Sequence, residues 1–204
     1  DTKISTPKYI KEKLTKSDIA SINIIVDISN YVMLELGQPT HAFDRDTIAG
    51  KLSVIKSKQK NKFIGIDNKE YKIDKGTPVI IDEKEIIHAI PGVIGSKISS
   101  VTKSTTNVLF ESAFFLPDVV RSLSRKFRIQ TDSSYRFERG VDYCIQEYSL
   151  SRIHYILNQI INIEECKLTK ISKKHISTKQ KSFKFDYSLF KRILGINLSQ
   201  NKIK

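Results

Sequence analysis

A single carboxylate, Glu111, stands in the middle of the apolar run 108–115. A carboxylate among such neighbours loses contact with water, which costs free energy unless it is paired or accepts strong hydrogen bonds. A carboxylate of this kind can serve a ligand that supplies the missing hydrogen bond. The alternative is a structural ion pair between Glu111 and one of the arginines further along the chain. The residues alone leave both roles open.

A second ionisable side chain, His41, follows a segment with helical periodicity that ends at the stop signals Gly37 and Pro39. A histidine just outside a rigid helix end is well placed to enter a cleft. There its imidazole can act as a general base or orient a water molecule. A lone histidine is more often structural than catalytic, so the position alone does not assign its role.

Hydroxyl and amide side chains accompany these two residues. Ser29 and Asn30 lie on the segment that precedes His41, and Thr131 and Ser133 lie in the stretch 130–142, which is dense in hydroxyls and paired charges. Such side chains suit the lining of a polar pocket. They also cap helices and bond turns routinely, so purely local roles stay open as well.

The elements that position these residues follow from the spacing of apolar residues and from glycine and proline signals. Helices are predicted over 7–16, 21–36, 117–127, 145–161 and 188–194, with one helical turn at 44–49. Strands are predicted over 52–55, 62–66, 71–73, 79–81 and 86–90, a buried central strand over 106–115, strand and loop over 163–176, and a strand-like alternation over 183–185.

This pattern predicts an α/β fold of the α+β type. Mixed, largely antiparallel sheets with flanking helices are expected, followed by the truncated start of a second small domain. The expected organisation is a lead-in segment over 1–20, a main domain over 21–177, and a linker with the incomplete start of the next domain over 178–204.

The net charge of +13 over 204 residues invites a nucleic-acid partner. Only 8 of the 35 basic residues are arginine, and the abundance of Lys, Ile and Asn is typical of an AT-rich genome, so arginine is the more discriminating signal. Three arginines at helical spacing can line one helix face and meet phosphates; the alternative is a solvated face with intramolecular ion pairs. The cluster consists of Arg121, Arg125 and Arg128 at that spacing, with Arg136 and Arg139 beyond them.

Several other classes of protein lack support in the sequence. No apolar run approaches the roughly 20 residues of a membrane span, and no P-loop, Rossmann glycine fingerprint, HExxH motif or nucleophile elbow is present. Cys144 and Cys166 are too few and too isolated for a disulfide framework or a zinc site, which predicts two free thiols in a reducing cytoplasm. The chain begins at Asp1 and its only methionine is Met33, so we expect a fragment or a processed product.

Three segments, 26–44, 106–115 and 130–142, closely resemble in order and spacing the tRNA-editing domain in the β subunits of bacterial phenylalanyl-tRNA synthetases. The resemblance runs from about residue 5 to the end of the chain, and 185–204 is similar to the opening of the domain that follows in that subunit. It identifies 21–177 as the editing domain. It implies hydrolysis of tyrosine wrongly attached to the phenylalanine tRNA.

The resemblance also implies roles for single residues. Glu111 matches the glutamate that recognises the para-hydroxyl of tyrosine, and Gly95 matches the glycine whose backbone approaches that hydroxyl. His41 matches the editing-site histidine, whose role is general base, water-orienting group or ligand of the terminal adenosine of tRNA. His41 and Thr131 are the catalytic candidates. The remaining positions matched to the pocket are substrate-binding candidates: Ser133, Ser29 and Asn30.

The glycine segment departs from the family pattern. Gly92 and Gly95 are present, but their neighbours differ from those the family usually carries. Two alternatives to active editing therefore stay open: a structural or tRNA-contacting scaffold with decayed editing, and a generic basic RNA-binding domain. The departures are Pro91, Ser96, Lys97 and Ser100, with Ala20 where a basic residue is common.

For the whole enzyme, the resemblance implies a cytoplasmic α2β2 assembly that attaches phenylalanine to tRNA(Phe) using ATP and Mg²⁺. The aminoacylation site is expected in the α subunit and the ATP and Mg²⁺ sites outside these residues, so no cofactor and no metal ligand is expected here. The expected partners are tRNA(Phe), with the arginines over 121–139 as contact candidates, and the α subunit. Neither a membrane nor DNA is expected.

Overall fold

The computed structural model describes residues 4–161, 163, 165–170, 182 and 184–203. The chain divides into two compact units, Asp1–Leu168 and Thr169–Lys204. The helices of the first unit are α1 (Lys8–Thr15), α2 (Ile24–Leu36), α3 (Pro117–Phe127), α4 (Asp132–Phe137) and α5 (Gln146–Asn158). Its strands are β1 (Thr40–Asp44), β2 (Ser53–Lys56), β3 (Asn61–Ile64), β4 (Glu70–Ile73), β5 (Pro78–Ile81), β6 (Ile87–Ile90), β7 (Ile94–Gly95) and β8 (Val108–Ser112). The second unit holds α6 (Tyr187–Leu194) and α7 (Gln200–Ile203).

The strand pair β1–β8 lies between two layers. The strands are antiparallel, with His41 opposite Glu111. On one face, Ala42 and Phe110 pack into a helical core built from α1, α2 and α5. On the other face, Phe43 packs against strands β5 and β6. The pair is therefore covered by helices on one side and by sheet on the other.

Two features of this pair differ from the sequence prediction. The strand over 106–115 was expected to be central, but among the described residues β8 pairs with β1 alone. The layers above and below β8, rather than strands on both sides, explain its apolar run. β1 was not predicted, because its two apolar side chains, Ala42 and Phe43, are adjacent and enter different layers, so the strand lacks the alternation of a half-exposed strand.

The remaining strands form a four-stranded sheet in the order β2-β5-β6-β7 and a β3–β4 hairpin, all antiparallel. The predicted α+β class with largely antiparallel sheets is confirmed, and the five predicted strands before residue 91 lie within one or two residues of their expected bounds. Val120 of α3 and Phe137 of α4 join the core of this sheet. The helices that follow β8 are thus fixed against the sheet that faces it.

Helix α2 begins three residues later than predicted. Asn23 caps it by accepting hydrogen bonds from two backbone N–H groups of the first turn. Residues before the cap are held outside the helix by the buried carboxylate of Asp27, which accepts hydrogen bonds from the Ser21 hydroxyl and the Ile22 N–H. Gly37 ends the helix in the left-handed conformation, as its stop signal predicts.

The other helices agree with the sequence to different degrees. α3 has the predicted bounds, α5 is shorter than predicted, and α6 ends at Gly195 as expected. α4 was not predicted. Lys184 and Phe185 lie in no strand, and neither does the described part of 163–176. Phe183, the rest of that segment and the boundary expected at residue 178 lie outside the described residues. No helix in the described part of the chain is both long and apolar enough to cross a membrane.

Candidate functional site

His41 and Glu111 emerge on the same face of the β1–β8 pair. They are directly opposite each other in the antiparallel register, and side chains of such a pair point to one side of the sheet with Cβ atoms about 5 Å apart. Phe43 shares this face, and its ring packs edge-on against the imidazole at a centroid distance of 4.4 Å. The two ionisable residues that the sequence singles out are therefore neighbours.

Gly95 forms a wall of the same site. It is buried in β7, where it pairs with Ala89 of β6. A Cβ atom added at Gly95 would stand 2.5 Å from both Cε1 and Nε2 of His41, closer than van der Waals contact permits. The requirement for glycine here comes from this close approach. A third residue singled out from the sequence thus lies directly against the imidazole.

Burial changes the ionisation of both groups. Loss of solvent lowers the pKa of His41 to about 4 and raises the pKa of Glu111 to about 7, because each charged form loses hydration without gaining a partner. Nε2 of His41 is buried with no hydrogen-bond partner among the described residues. Glu111 likewise forms no hydrogen bond or ion pair with any other described residue, so the structural pairing of Glu111 with an arginine is not found in this part of the chain.

These pKa values give the pair its chemical character at neutral pH. The imidazole of His41 is uncharged, and the carboxyl group of Glu111 is near its midpoint, so it can either accept or donate a hydrogen bond. Buried polar groups without partners cost free energy. The pair is therefore suited to a ligand that supplies the missing hydrogen bonds.

Thr131 supports the site from the side of α4. Its hydroxyl accepts a hydrogen bond from the N–H of Ser134 as the helix cap and donates to the carbonyl of Val93 at 3.0 Å. Val93 lies two residues before Gly95, so Thr131 fixes α4 to the glycine segment. Its hydroxyl is committed to these two bonds. Ser133 follows in the first turn of α4 and is partly buried.

Ser29 lies on the opposite side of the strand pair. Its hydroxyl is 2.6 Å from Oγ1 of Thr40 and donates to the carbonyl of Thr40 at 3.1 Å. Thr40 is opposite Ser112, whose buried hydroxyl has no partner among the described residues. Because successive strand residues alternate in direction, this polar row faces α2 whereas the ionisable pair faces the sheet. Asn30, also on α2, is partly buried. Thr40 and Ser112 were not singled out from the sequence, although their neighbours His41 and Glu111 were.

A second buried ionisable pair, Asp82 and His88, lies beneath the site and was also missed. Nε2 of His88 is 3.2 Å from Oδ2 of Asp82, and neither side chain has exposed surface. Burial alone would raise the pKa of Asp82, but hydrogen bonds from two backbone N–H groups and the contact with His88 hold it below its usual value. The ring of His88 lies edge-on to Phe43 at 6.5 Å. The pair supports the ring that packs on His41 and has no access to solvent.

The four residues by which the glycine segment departs from the usual pattern keep their side chains out of the site. Ser96 caps the short turn after β7 and donates to a carbonyl group of β3. Lys97 donates to the side chain of Asn68, and Ser100 donates to the carbonyl of Lys97. Pro91 is buried. None of the hydrogen bonds of these side chains reaches the ionisable pair.

Four of the five candidate arginines converge on one cleft beside α3 and α4. The cleft has a volume of about 580 Å³, and its basic lining residues are Arg121, Arg125, Arg128 and Arg139. Arg128 was expected on the helical face, but it lies beyond the last helical residue, in the left-handed conformation at φ 54°. Arg136 does not line the cleft and pairs with Asp132 on its own helix.

The described residues offer no cluster with metal-binding chemistry. No group of three or more His, Cys, Asp or Glu side chains is placed to hold a metal ion within them. Cys144 and Cys166 are exposed, free thiols.

Comparison with known proteins adds the family. Residues 1–162 match the B3/4 domain. This chain belongs to the B3/4 domain family. The resemblance inferred from the three sequence segments is confirmed, because the relatives that match this chain are phenylalanine–tRNA ligase β subunits.

The chain is 39% identical over 199 residues to the phenylalanine–tRNA ligase β subunit of Francisella tularensis, covering 97% of this chain and 25% of that protein. It is 44% identical over 155 residues to the β subunit from Vibrio cholerae, covering 76% of this chain and 19% of that protein. The chain thus spans about a quarter or less of the curated relatives that it matches. An N-terminal fragment of the phenylalanyl-tRNA synthetase β subunit from Pyrococcus horikoshii matches 88% of this chain and 52% of its own, at 16% identity and a TM-score of 0.44.

The contact between Gly95 and His41 generates a first prediction. Gly95→Ala is expected to destabilise the domain by about 1–3 kcal/mol, because the new methyl group forces the imidazole out of its place. The three atoms nearest to the added Cβ all belong to His41, so Gly95→Ala should cost much less in a His41→Ala background. Urea unfolding of the wild type, both single variants and the double variant measures the coupling, expected to be about 1 kcal/mol or more. Additive effects would contradict the contact.

The burial of the ionisable pair generates a second prediction, for the pH dependence of stability. Glu111 has a pKa of about 7 in the folded chain, above its ordinary value of 4.5, so the folded chain binds its proton more tightly and stability falls as the pH rises from 4.5 to 7. His41 has a pKa of about 4, below its ordinary value of 6.5, so stability rises between pH 4 and 6.5. Each slope approaches about 1.4 kcal/mol per pH unit, and the two oppose each other in the wild type.

Two variants separate these slopes. With His41→Leu only the Glu111 slope remains, and the free energy of unfolding should fall with pH up to about 7. With Glu111→Gln only the His41 slope remains, and the same quantity should rise with pH up to about 6.5. The double variant is the reference for all other titrating groups. Slopes of the same sign in both single variants, relative to that reference, would show that the two groups are not buried as described.

Proposed function

We propose that this B3/4 domain is the editing module of a phenylalanine–tRNA ligase β subunit and hydrolyses tyrosine from mischarged Tyr-tRNA(Phe). The observation that carries the proposal is the partly buried, unpartnered carboxyl group of Glu111 opposite His41, whose imidazole lies against the backbone of Gly95. The names of the relatives, phenylalanine–tRNA ligase β subunits, support the choice of the tRNA and of phenylalanine as the correct amino acid.

Glu111 distinguishes tyrosine from phenylalanine by the presence of one hydroxyl group. The tyrosine hydroxyl donates to the carboxylate, or accepts from the protonated carboxyl group, and so satisfies a polar group that the fold leaves unpaired. A phenylalanine ring buries the same group without a partner, which costs about 1–3 kcal/mol. That difference corresponds to about 5- to 150-fold discrimination, in favour of keeping the correct ester intact.

His41 orients the attacking water and the ribose hydroxyls at the ester. A pKa of about 4 keeps the imidazole neutral at physiological pH, so it can accept a hydrogen bond from water, but it also makes His41 a weak base. Most of the acceleration therefore comes from holding water and the activated ester together in a site with little solvent. Thr131 acts as a positioning residue, since its hydroxyl joins α4 to the segment that carries Gly95.

The module works within a larger enzyme. We place it in the β subunit of an α2β2 ligase in the cytoplasm, with tRNA(Phe) and the α subunit as partners. Phenylalanine, ATP and Mg²⁺ serve the charging reaction and bind outside these residues. Ser133 and Asn30 are proposed to line the pocket near the bound amino acid, whereas Ser29, which bonds Thr40 on the α2 side of the strand pair, is proposed to position β1.

A scaffold role without editing is the second candidate. Two observations favour it. The glycine segment carries Pro91, Ser96, Lys97 and Ser100 in place of the usual residues, and the Thr131 hydroxyl is committed to structural bonds. Against it, the hydrogen bonds of Ser96, Lys97 and Ser100 are directed away from the ionisable pair, which leaves Glu111 opposite His41 and His41 against Gly95. The two candidates differ in one measurable property, the hydrolysis of the tyrosyl ester.

The third prediction concerns that hydrolysis in the intact ligase. The wild type is expected to deacylate Tyr-tRNA(Phe) faster than Phe-tRNA(Phe), and Glu111→Ala is expected to reduce the ratio of the two rates by about 5- to 150-fold, because it removes the partner of the hydroxyl group. Glu70→Ala, which removes an exposed carboxylate on β4, is the matched control. Background rates for both esters in the wild type, with normal charging, would establish the scaffold role instead.

A further inference from the structure

The cleft beside α3 and α4, here called the arginine cleft, concentrates positive charge that the fold neutralises only in part. Four arginines and one glutamate, Glu138, are the charged groups that line it, which gives a local charge of +3. Within the cleft, Arg121 pairs with Asp118 and Arg139 pairs with Glu138, but Arg125 and Arg128 form no ion pair with any other described residue. By contrast, two cations on the same helices that lie outside the cleft are paired: Lys126 with Asp74 and Arg136 with Asp132.

Specific contacts hold the remaining guanidinium groups in place. Arg121 donates to the carbonyl of Glu138 at 2.7 Å and so ties α3 to the end of α4. The guanidinium of Arg139 stacks on the ring of Tyr135 at 3.5 Å and donates to the carbonyl of the same residue. Arg125 lies one helical turn after Arg121, on the same face of α3. The charges are thus brought together by two helices and their ends rather than by chance along a flexible loop.

We propose that the arginine cleft binds backbone phosphates of tRNA. The proposal rests on the proposed function and adds to it the place where the polynucleotide is held. The planar guanidinium group matches the oxygens of a phosphate through two parallel hydrogen bonds. The lining of the cleft is polar: Gln130 lies beside the arginines, and Ile129 is the one apolar residue among those described. This lining favours a phosphate backbone over a protein partner, which would bury aromatic and aliphatic side chains.

The arginine cleft and the candidate editing pocket are built on the same rigid parts. Gly92, in the segment before Gly95, packs so closely against Val120 of α3 and Phe137 of α4 that an added Cβ would approach them within 3.0 and 3.1 Å. Thr131 bonds the start of α4 to the carbonyl of Val93. Phosphates held in the cleft are therefore anchored to the elements that carry one wall of the pocket, which fixes the direction from which an acceptor end can arrive.

The test measures binding of uncharged, fluorescently labelled tRNA(Phe) transcript to the full chain, by anisotropy over a range of salt concentrations. The double variant Arg125→Ala/Arg128→Ala is expected to bind about 10- to 30-fold more weakly at 0.15 M salt. The decline of log K, the association constant, with log salt should become shallower by about 2, because two phosphate contacts are lost. The matched control is Lys126→Ala/Arg136→Ala, which removes the same charge from α3 and α4 outside the cleft and should change affinity by less than about threefold. Thermal unfolding of both double variants verifies that they remain folded.

The outcomes separate this proposal from the proposed function. Equal losses in the two double variants would show that only net charge matters, and would overturn the cleft while leaving editing intact. Absence of RNA binding by a wild-type domain whose ligase hydrolyses Tyr-tRNA(Phe) would do the same. Cleft-dependent binding together with background hydrolysis of both esters would support the cleft and overturn editing.

Discussion

The register between β1 and β8 is the constraint on which the rest of the site depends. It places His41 opposite Glu111 and turns both towards the sheet that carries Gly95. A slip of one residue would exchange the faces and send the ionisable pair into the helical core. The register is held because Phe43 is completely buried against the sheet while Ala42, its neighbour, is buried against the helices. A two-sided core of this kind leaves the strand pair only one arrangement.

The same two-sided burial sets the electrostatics. A pair of exposed strands would leave an imidazole and a carboxyl group near their ordinary pKa values, whereas the layers around β1 and β8 remove their hydration and move both pKa values towards the neutral forms. At this point the described residues provide no partner for Nε2 of His41 or for the carboxyl group of Glu111. Elsewhere the fold satisfies buried carboxylates fully, as at Asp27 and Asp82. The carboxyl group of Glu111 therefore differs from the carboxylates of the supporting structure, which are satisfied by hydrogen bonds.

The sequence predicts the local elements well and the contacts between them only in part. The bounds of α3 follow from Pro117 and the apolar spacing, because both signals are local. The neighbour of β8 could not be read from its apolar run, since burial by layers and burial by strands give the same pattern. Helix α4 is short, and its capping box pairs Thr131 with Ser134 instead of the usual acidic or amide partner. Glu111 and His41 stand out from their surroundings in the sequence, but Gly95 was singled out only through motif resemblance, because its contact with His41 joins segments that are far apart in sequence. The arginines show the same division: helical spacing relates Arg121 to Arg125, but only tertiary packing adds Arg139 to them.

The central claim is that the His41–Glu111 face of β1–β8 receives the amino acid of a mischarged tRNA, with the tyrosine hydroxyl at Glu111. The most direct measurement is a crystal structure of the protein with a non-hydrolysable tyrosyl-adenosine amide, which mimics the acceptor end without reacting. The expected result is a phenolic oxygen within about 3 Å of the Glu111 carboxyl group, beside the backbone of Gly95, with His41 facing the amide that replaces the ester. An analogue bound elsewhere, or bound here with its phenol ring directed away from Glu111, would contradict the claim.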